Sequence, residues 1–329
     1  MSARRRSSVL GPVIKDYVAL KRALGRHYRT ESDILQHLDG FLADRGGDLT
    51  AETFARWCRT REHLTTGVRR TWMRVVRNLS LYRRRREPTC FVPDPLQFPL
   101  PHQPVRPHIF TEAEIARLLD EAQRLAAGNR SPLHAENMRL AIVLLYTAGL
   151  RRGELQRLIV GDYDRQERTL LVRESKFHKS RLLPLSGDAT REVEAHLRTR
   201  RARGLPAGSD APLMWNAYGR GGAYTGEGLG QGIRSLIRAA DIRTAAGRWP
   251  RVHDIRHAFA VQALLRWYRA GEDVQAKLPY LATYMGHVSI VSTQHYLHFI
   301  EQLAVSASER FERLCGDLIT APDMAQNST

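Results

Sequence analysis

The chain has 329 residues, which is enough for two domains, because single hydrophobic cores rarely keep growing beyond about 250 to 300 residues. Its 51 Lys and Arg residues against 34 Asp and Glu give a formal charge of +17, which favours a polyanion such as nucleic acid as the partner. Its three scattered cysteines exclude a disulfide framework, and no apolar run approaches the roughly 20 residues that cross a bilayer, so we expect a cytoplasmic protein with no membrane partner.

Two helices are predicted near the start of the chain from apolar residues at helical spacing. The first helix carries the apolar stripe Val13, Tyr17, Leu20 and Leu24. The second helix begins after Thr30, a plausible N-cap, and carries the stripe Ile34, Leu35, Leu38, Phe41 and Leu42. Both stripes are expected to pack into a helical core.

A third helix, within "TTGVRRTWMRVVRNLSLYRRRRE", is basic on one side. Its predicted apolar face consists of Val68, Trp72, Val75, Leu79 and Tyr82. Its opposite face carries Arg70, Arg74, Arg77 and Arg84. A charged stripe is most often a solvated face, but arginine without interspersed glutamate is poor for salt-bridged solubility and well suited to phosphates. We therefore predict that these four arginines bind the backbone of a nucleic acid.

A proline-rich stretch over residues 88–107 divides the chain. It holds seven of the 15 prolines, and this density favours an extended, semi-rigid connector. Residues 1–107 carry 21 Lys and Arg against 10 Asp and Glu, so the smaller part holds most of the excess positive charge. We predict a helical domain over 1–87, a linker over 88–107, a second domain with a C-terminal helix over 108–316, and a disordered tail over 317–329.

The second domain is predicted to be mainly α-helical with a small antiparallel β-sheet, an α+β fold. The stretch "FTEAEIARLLDEAQRL" begins with Thr111 as N-cap and Glu114 three residues on, and "AENMRLAIVLLYTAGL" is a buried helix that ends at Gly149. Short leucine-rich runs broken by polar turns over residues 157–186 indicate the sheet. The remaining predicted helices span residues 187–201, 229–240, 254–269 and 274–286.

The stretch "RVHDIRHAFAVQALLRWY" predicts a helix that is apolar on nearly every side, as is typical of a core helix. Its first turns nevertheless carry His253, Arg256 and His257, where a buried charge without a partner is costly. Other candidate residues have ordinary structural explanations when taken singly: an ion pair with Glu154, an exposed hairpin lysine, a histidine at a helix end or a core tyrosine. These candidates are Arg151, Lys176, His287 and Tyr296.

In combination, these residues make the chain resemble the tyrosine recombinases, also called the phage integrase family. The resemblance is carried by "TAGLRRGEL", "SKFHKSRLLPL", "HDIRHAFA" and "MGHVSIVSTQHY", with nine residues from His287 to Tyr296. It runs from about Phe110 to Phe299, while the helical N-terminal part is similar to the family's core-binding domain only in size, helicity and charge. The resemblance implies a core-binding domain followed by a tyrosine-recombinase catalytic domain.

The resemblance also implies roles for six residues. Arg151 and Arg256 would bind the scissile phosphate of DNA, and Tyr296 would attack it to give a 3′-phosphotyrosyl link. His253 would act as acid or base, His287 would donate a hydrogen bond to the phosphate, and Lys176 would protonate the departing 5′-oxygen. No metal or ATP is implied, because the covalent intermediate keeps the bond energy. Glu154 corresponds to a supporting acid that steers Arg151 or His253.

Some assignments have neighbouring alternatives. Lys179 could replace Lys176, His257 could be a core histidine, and Tyr280 or Tyr284 would compete with Tyr296 if the latter were misaligned.

The chain also departs from the family pattern in one spacing. Arg256 and His287 are 31 residues apart, which is longer than the family pattern and indicates an insertion in "RWYRAGEDVQAKLP".

Taken together, the sequence predicts a site-specific DNA recombinase of a transposable or integrative element, because "WYRAGEDVQAKLPYLATYMGH" is similar to recombinases of mobile elements. The implied partners are double-stranded DNA and further copies of the chain, four protomers on two DNA sites, with or without companion recombinases, in the nucleoid. A C-terminal helix in "IEQLAVSASERFERLCGDL" would be exchanged between neighbours. The alternatives are a type IB topoisomerase, and an inactive DNA-binding or architectural protein.

Overall fold

The structure is a computed structural model that describes residues 7–45, 47–100, 106–128, 131–173, 180–218, 222–287, 289–294 and 296–297. Its contacts divide the chain into two compact units, Met1–Val105 and Arg106–Thr329. Each unit has a hydrophobic core of its own. No helix among the described residues is long and apolar enough to cross a membrane.

The first unit is helical. Its elements are α1 (Gly11–Ala23), α2 (Arg29–Ala43), α3 (Ala51–Arg59), α4 (Thr66–Arg83) and a short 3-10 helix (Pro95–Gln97). The predicted stripe of α2 is confirmed: four of its five residues are fully buried, and Phe41 packs against them. Residues 91–99 of the predicted linker belong to this unit, because Phe98 is buried in its core and Phe91 packs beside it.

Three predictions for the first unit are wrong in detail. The stripe of α1 is rotated, because the buried residues are Leu10, Ile14, Tyr17 and Val18. Leu24 lies beyond the last helical residue and is 65% exposed. The helix α2 begins before Thr30, with Tyr28 as N-cap at a φ of +48°. Val68, predicted to pack, is 42% exposed because the buried face of α4 starts only at Met73.

The second unit combines helices with one small sheet, as predicted. Its helices are α5 (Glu112–Gln123), α6 (His134–Thr147), α7 (Arg152–Arg157), α8 (Gly187–Ala202), α9 (Gly226–Ala239), α10 (Val252–Arg269), α11 (Val274–Met285) and α12 (Val291–Gln294). Its strands are β1 (Tyr163–Asp164), β2 (Thr169–Val172) and β3 (Arg181–Pro184), antiparallel in the order β1-β2-β3. The predicted cap of α5 is confirmed, because Thr111 and Glu114 exchange side-chain to backbone hydrogen bonds.

The C-terminal end of α6 and the N-terminal end of α10, two buried helices, lie at the candidate site. The helix α6 stops as predicted at Gly149, whose φ of +58° is accessible to glycine at little cost. A side chain at this position would overlap the ring of Phe259 on α10. Only residues 270–273 separate α10 from α11, so the stretch in which an insertion is expected consists mostly of the end of α10 and the start of α11.

Several predictions lie outside the described residues. They are the positions of Lys176 and Lys179, the helix predicted after Tyr296 and the tail over 317–329.

Candidate active site

The candidate site forms where α7 and α10 begin and α11 ends. Arg151 is the N-cap of α7, and Arg256 lies in the first turns of α10 beside His253. The helix α11 ends at Gly286, whose φ of +64° turns the chain toward His287. Five of the six residues predicted from sequence therefore meet here: Arg151, His253, Arg256, His287 and Tyr296. Lys176 is the sixth.

Backbone carbonyls at helix ends hold both arginines. Arg256 is 1% exposed, and its guanidinium donates to the carbonyls of Gly149 and, at 2.6 Å, of Met285. Arg151 donates from Nη2 to the carbonyl of Gly286 at 2.8 Å. Burial, and then the neighbouring charge of Arg151, lower the pKa of Arg256 to about 10, which leaves this guanidinium cationic at neutral pH. The arrangement concentrates two positive charges in one place.

Glu154 is the buried counter-charge of this pair. Its carboxylate accepts from the backbone N–H of Arg151 at 2.9 Å and from the Arg151 side chain at 2.7 Å. Arg181, at the start of β3, donates to both oxygens at 3.0 and 2.9 Å. Burial raises the pKa of Glu154, but hydrogen bonds from Arg181 and Arg151 lower it overall to about 2. Glu154 is thus ionised, and Arg181 is a site residue that sequence analysis did not single out.

The histidines of the site are neutral at pH 7. Burial, with the charge of Arg256 next, lowers the pKa of His253, and the same causes bring that of His287 to about 4. The Nδ1 atom of His287 lies 2.8 Å from the Thr293 hydroxyl. When that hydroxyl donates, the neutral ring carries its proton on Nε2, and His287 keeps a donor for a ligand oxygen.

The phenol of Tyr296 faces this centre and is 3% exposed. Its hydroxyl lies 3.1 Å from Nδ1 of His257, whose ring is 4.7 Å from that of His253. His257 is therefore a partly buried histidine that contacts the phenol. Burial raises the pKa of Tyr296, while the charges of Arg256 and Arg151 lower it.

The alternative tyrosines lie elsewhere. Tyr280 is 72% exposed, and Tyr284 stacks on Phe259 with its hydroxyl 3.2 Å from the Pro184 carbonyl. Of these three tyrosines, Tyr296 is the one whose hydroxyl lies against the histidines of the candidate site.

The four arginines predicted on α4 divide into two pairs. Arg70 donates to the Pro99 carbonyl at 2.8 Å and Arg77 to the Pro93 carbonyl at 2.5 Å, so both hold the proline-rich segment. Arg74 and Arg84 are exposed. A sequence pattern shows which side of a helix is charged, but it does not show which of the charged side chains donate hydrogen bonds to backbone carbonyls.

A basic cavity of ≈ 560 Å³ opens beside His253. Its lining includes the side chains of Arg152, Arg234, Arg238 and Arg251. No three His, Cys, Asp or Glu residues within the described ranges are grouped so that they could hold a metal ion.

The model of the phage integrase family matches residues 108–302 of the chain. The chain is similar to the putative integrase/recombinase y4rB of Sinorhizobium fredii, with 29% identity over 309 residues, 93% of this chain and 98% of that protein. It is 35% identical over 182 residues to the tyrosine recombinase XerD of Caulobacter vibrioides, covering 54% of this chain and 55% of XerD.

Two solved structures share the fold. The Tn1549 transposon integrase in complex with transposon right end DNA has a TM-score of 0.60 and 18% identity, over 92% of this chain and 99% of that chain. The XerH site-specific recombinase bound to palindromic difH substrate has a TM-score of 0.60 and 18% identity, over 91% of this chain and 84% of that chain. At this identity the likeness shows the fold alone.

Proposed function

The chain belongs to the phage integrase family, and from this premise we propose that it is a site-specific DNA recombinase of a transposable or integrative element. The proposed reaction cuts and rejoins DNA through a 3′-phosphotyrosyl intermediate. One observation carries the proposal: the phenol of Tyr296 lies buried beside two guanidiniums and a cluster of neutral imidazoles.

Arg151 and Arg256 bind the non-bridging oxygens of the scissile phosphate. A planar guanidinium contacts two oxygens at once and stabilises the negative charge that grows in the transition state. Glu154 holds Arg151 from the protein side, and His287 adds a neutral donor. The buried charges at the start of α10 thus find their partner in a DNA phosphate.

Tyr296 supplies the nucleophile. Its oxygen forms a bond to phosphorus, the bond from phosphorus to the 5′-oxygen breaks, and the phenolic proton passes to a neutral imidazole of the pair His253 and His257. Lys176 gives a proton to the departing 5′-oxygen. Rejoining reverses these steps when a 5′-hydroxyl of another strand attacks the phosphotyrosine, so no metal or nucleotide takes part.

Four protomers carry out the exchange on two DNA sites, with or without companion recombinases. Each chain has one Tyr296 and forms one covalent link, whereas exchange between two duplexes breaks four strands. The basic cavity beside His253 and the exposed arginines of α4 bind the DNA backbone. Because the substrate is DNA, the chain acts at the nucleoid.

Trapping of the covalent intermediate tests this reaction. The protein first selects its duplex from a randomised pool, and the selected duplex is then nicked beside the cleavage point so that cleaved ends diffuse away. We expect a denaturant-resistant adduct on the 3′ side with the native chain and with Tyr280→Phe, and none with Tyr296→Phe. Equal binding without an adduct from the native chain would instead indicate an architectural DNA-binding protein.

A further inference from the structure

Three arginines from three different elements bind the last two carbonyls of α11 and the carbonyl of its C-cap, Gly286. Arg181 donates from Nε to the Tyr284 carbonyl at 2.8 Å, Arg256 to that of Met285, and Arg151 to that of Gly286. The two preceding carbonyls, of Ala282 and Thr283, accept backbone N–H groups. The end of α11 is thus fully paired, and its negative dipole end faces three cations.

Arg181 is the member of this trio with no role in the proposed reaction. Its side chain is 11% exposed, its Nη1 and Nη2 bind the two oxygens of Glu154, and its Nε binds the end of α11. All three nitrogens are occupied inside the protein. Arg181 is therefore placed to hold other residues of the site.

The position of Arg181 in the sheet adds a second connection. It is the first residue of β3 and pairs with Val172, the last residue of β2. In sequence, residues 174–179 join these two strands and include Lys176. A guanidinium at the base of this hairpin thus links the segment that carries the proposed acid to the carboxylate that holds Arg151.

We propose that Arg181 is a positioning residue for strand cleavage, which orients Arg151 through Glu154 and fixes the base of the Lys176 hairpin against the end of α11. This inference rests on the proposed function. The lack of a side chain at Gly286 makes room for Arg181, because a Cβ there would lie 2.8 Å from Nη1 of Arg181. A forked guanidinium suits these acceptors, because its donors are fixed in a plane on three separate nitrogens, whereas the donors of an ammonium group share a single nitrogen.

The same hairpin offers a matched control. Arg173, directly after β2, pairs with the buried carboxylate of Asp162 at 2.6 Å, and within the described ranges it forms no ion pair with Glu154. If Arg181 merely stabilises the hairpin, replacement of either arginine by glutamine should have the same effect.

The experiment measures the rate of adduct formation on the selected, nicked duplex at saturating protein, together with DNA affinity and thermal unfolding. We expect Arg181→Gln to slow adduct formation about 100-fold, the size of effect that a small misplacement of catalytic groups produces, with DNA affinity little changed. Arg181→Lys should recover part of the rate. Arg173→Gln should retain the native rate.

The pH dependence separates positioning from stability. Glu154 faces the guanidiniums of Arg151, Arg181 and Arg256, and burial raises its pKa. Without Arg181 one of the groups that counteract burial is lost, so the pKa of Glu154 rises and its carboxylate protonates at a higher pH than in the native chain. The rate of Arg181→Gln relative to the native chain should therefore fall further as the pH falls, while the ratio for Arg173→Gln stays constant.

Two results would overturn the inference. One is a native rate for Arg181→Gln, and the other is a loss that equals the unfolded fraction and does not vary with pH. Failure of the native chain itself to form an adduct would instead count against the proposed function, so the two hypotheses are tested separately.

Discussion

His196 and Arg200 lie one turn apart on α8, outside the candidate active site, and both are buried. Nε2 of His196 lies 3.0 Å from the side-chain oxygen of Asn137, and Arg200 donates to the carbonyl of Pro212 at 2.7 Å. Burial, and then the charge of Arg200, lower the pKa of His196 to about 4. A neutral imidazole beside a buried cation makes the fold sensitive to acid.

This histidine predicts a pH dependence of stability. Between pH 6.5 and about 4, His196 binds a proton in the unfolded state but stays neutral in the folded state. The free energy of unfolding therefore falls as the pH falls through this window. The full loss from one such group is about 3 kcal/mol. Denaturant unfolding at several pH values should show a shallower acid dependence for His196→Gln, which keeps a donor for Asn137. An unchanged slope would contradict the prediction.

At the scale of the elements, sequence reasoning succeeded where one local signal decides the outcome. The capping box at Thr111 and the stop at Gly149 are set by neighbouring residues. It failed for α1, because two overlapping apolar stripes fit the same segment and only packing chooses between them. It also missed Arg181, since the partners of this residue, Glu154 and the end of α11, are distant in sequence and no local pattern connects them.

Adding a side chain at Gly149, just after α6, is predicted to lower the free energy of unfolding. Gly149 and Gly204 occupy the same position, two residues after their helices, with φ of +58° and +63°. Gly204→Ala should lower the free energy of unfolding only by the strain of an alanine in the left-handed conformation, about 1 to 2 kcal/mol, because no atom lies within 4 Å of the added Cβ. Gly149→Ala also overlaps Phe259, which adds about 1 to 3 kcal/mol. Chemical denaturation of both variants measures the difference, and equal losses would show that the ring moves aside freely.

The two pairs of arginines on α4 predict different phenotypes. Arg74 and Arg84 are exposed, so replacing both by glutamine should lower the slope of log affinity against log salt for duplex DNA by about 1.8. Arg70 and Arg77 bind the Pro99 and Pro93 carbonyls, so their replacement should mainly lower the free energy of unfolding. Salt titrations and denaturation of both double variants test the division. Equal salt slopes would place the DNA contact on another surface.

At the scale of the whole molecule, charge and chemistry are divided between the two units. Residues 1–105, the first unit, hold 20 basic against 10 acidic side chains, whereas the five described candidate catalytic residues lie in the second unit. Affinity for DNA therefore draws on both units, while cleavage depends on a few side chains of one. Under the proposed function each chain cuts one strand, so the recombinase needs two matched DNA sites before its chemistry yields a product.

That requirement predicts the outcome with supercoiled plasmids. A plasmid with two copies of the selected site should yield recombinant products whose amount depends on the orientation of the two copies, and a plasmid without the site should stay supercoiled. The reason is that exchange by the proposed reaction requires four phosphotyrosyl links on paired duplexes, whereas a topoisomerase of the same chemistry relaxes DNA from one link. Gel electrophoresis of both plasmids distinguishes these cases. Tyr296→Phe controls for contaminating nucleases, and relaxation of the plasmid that lacks the site would assign the chain to topoisomerase chemistry.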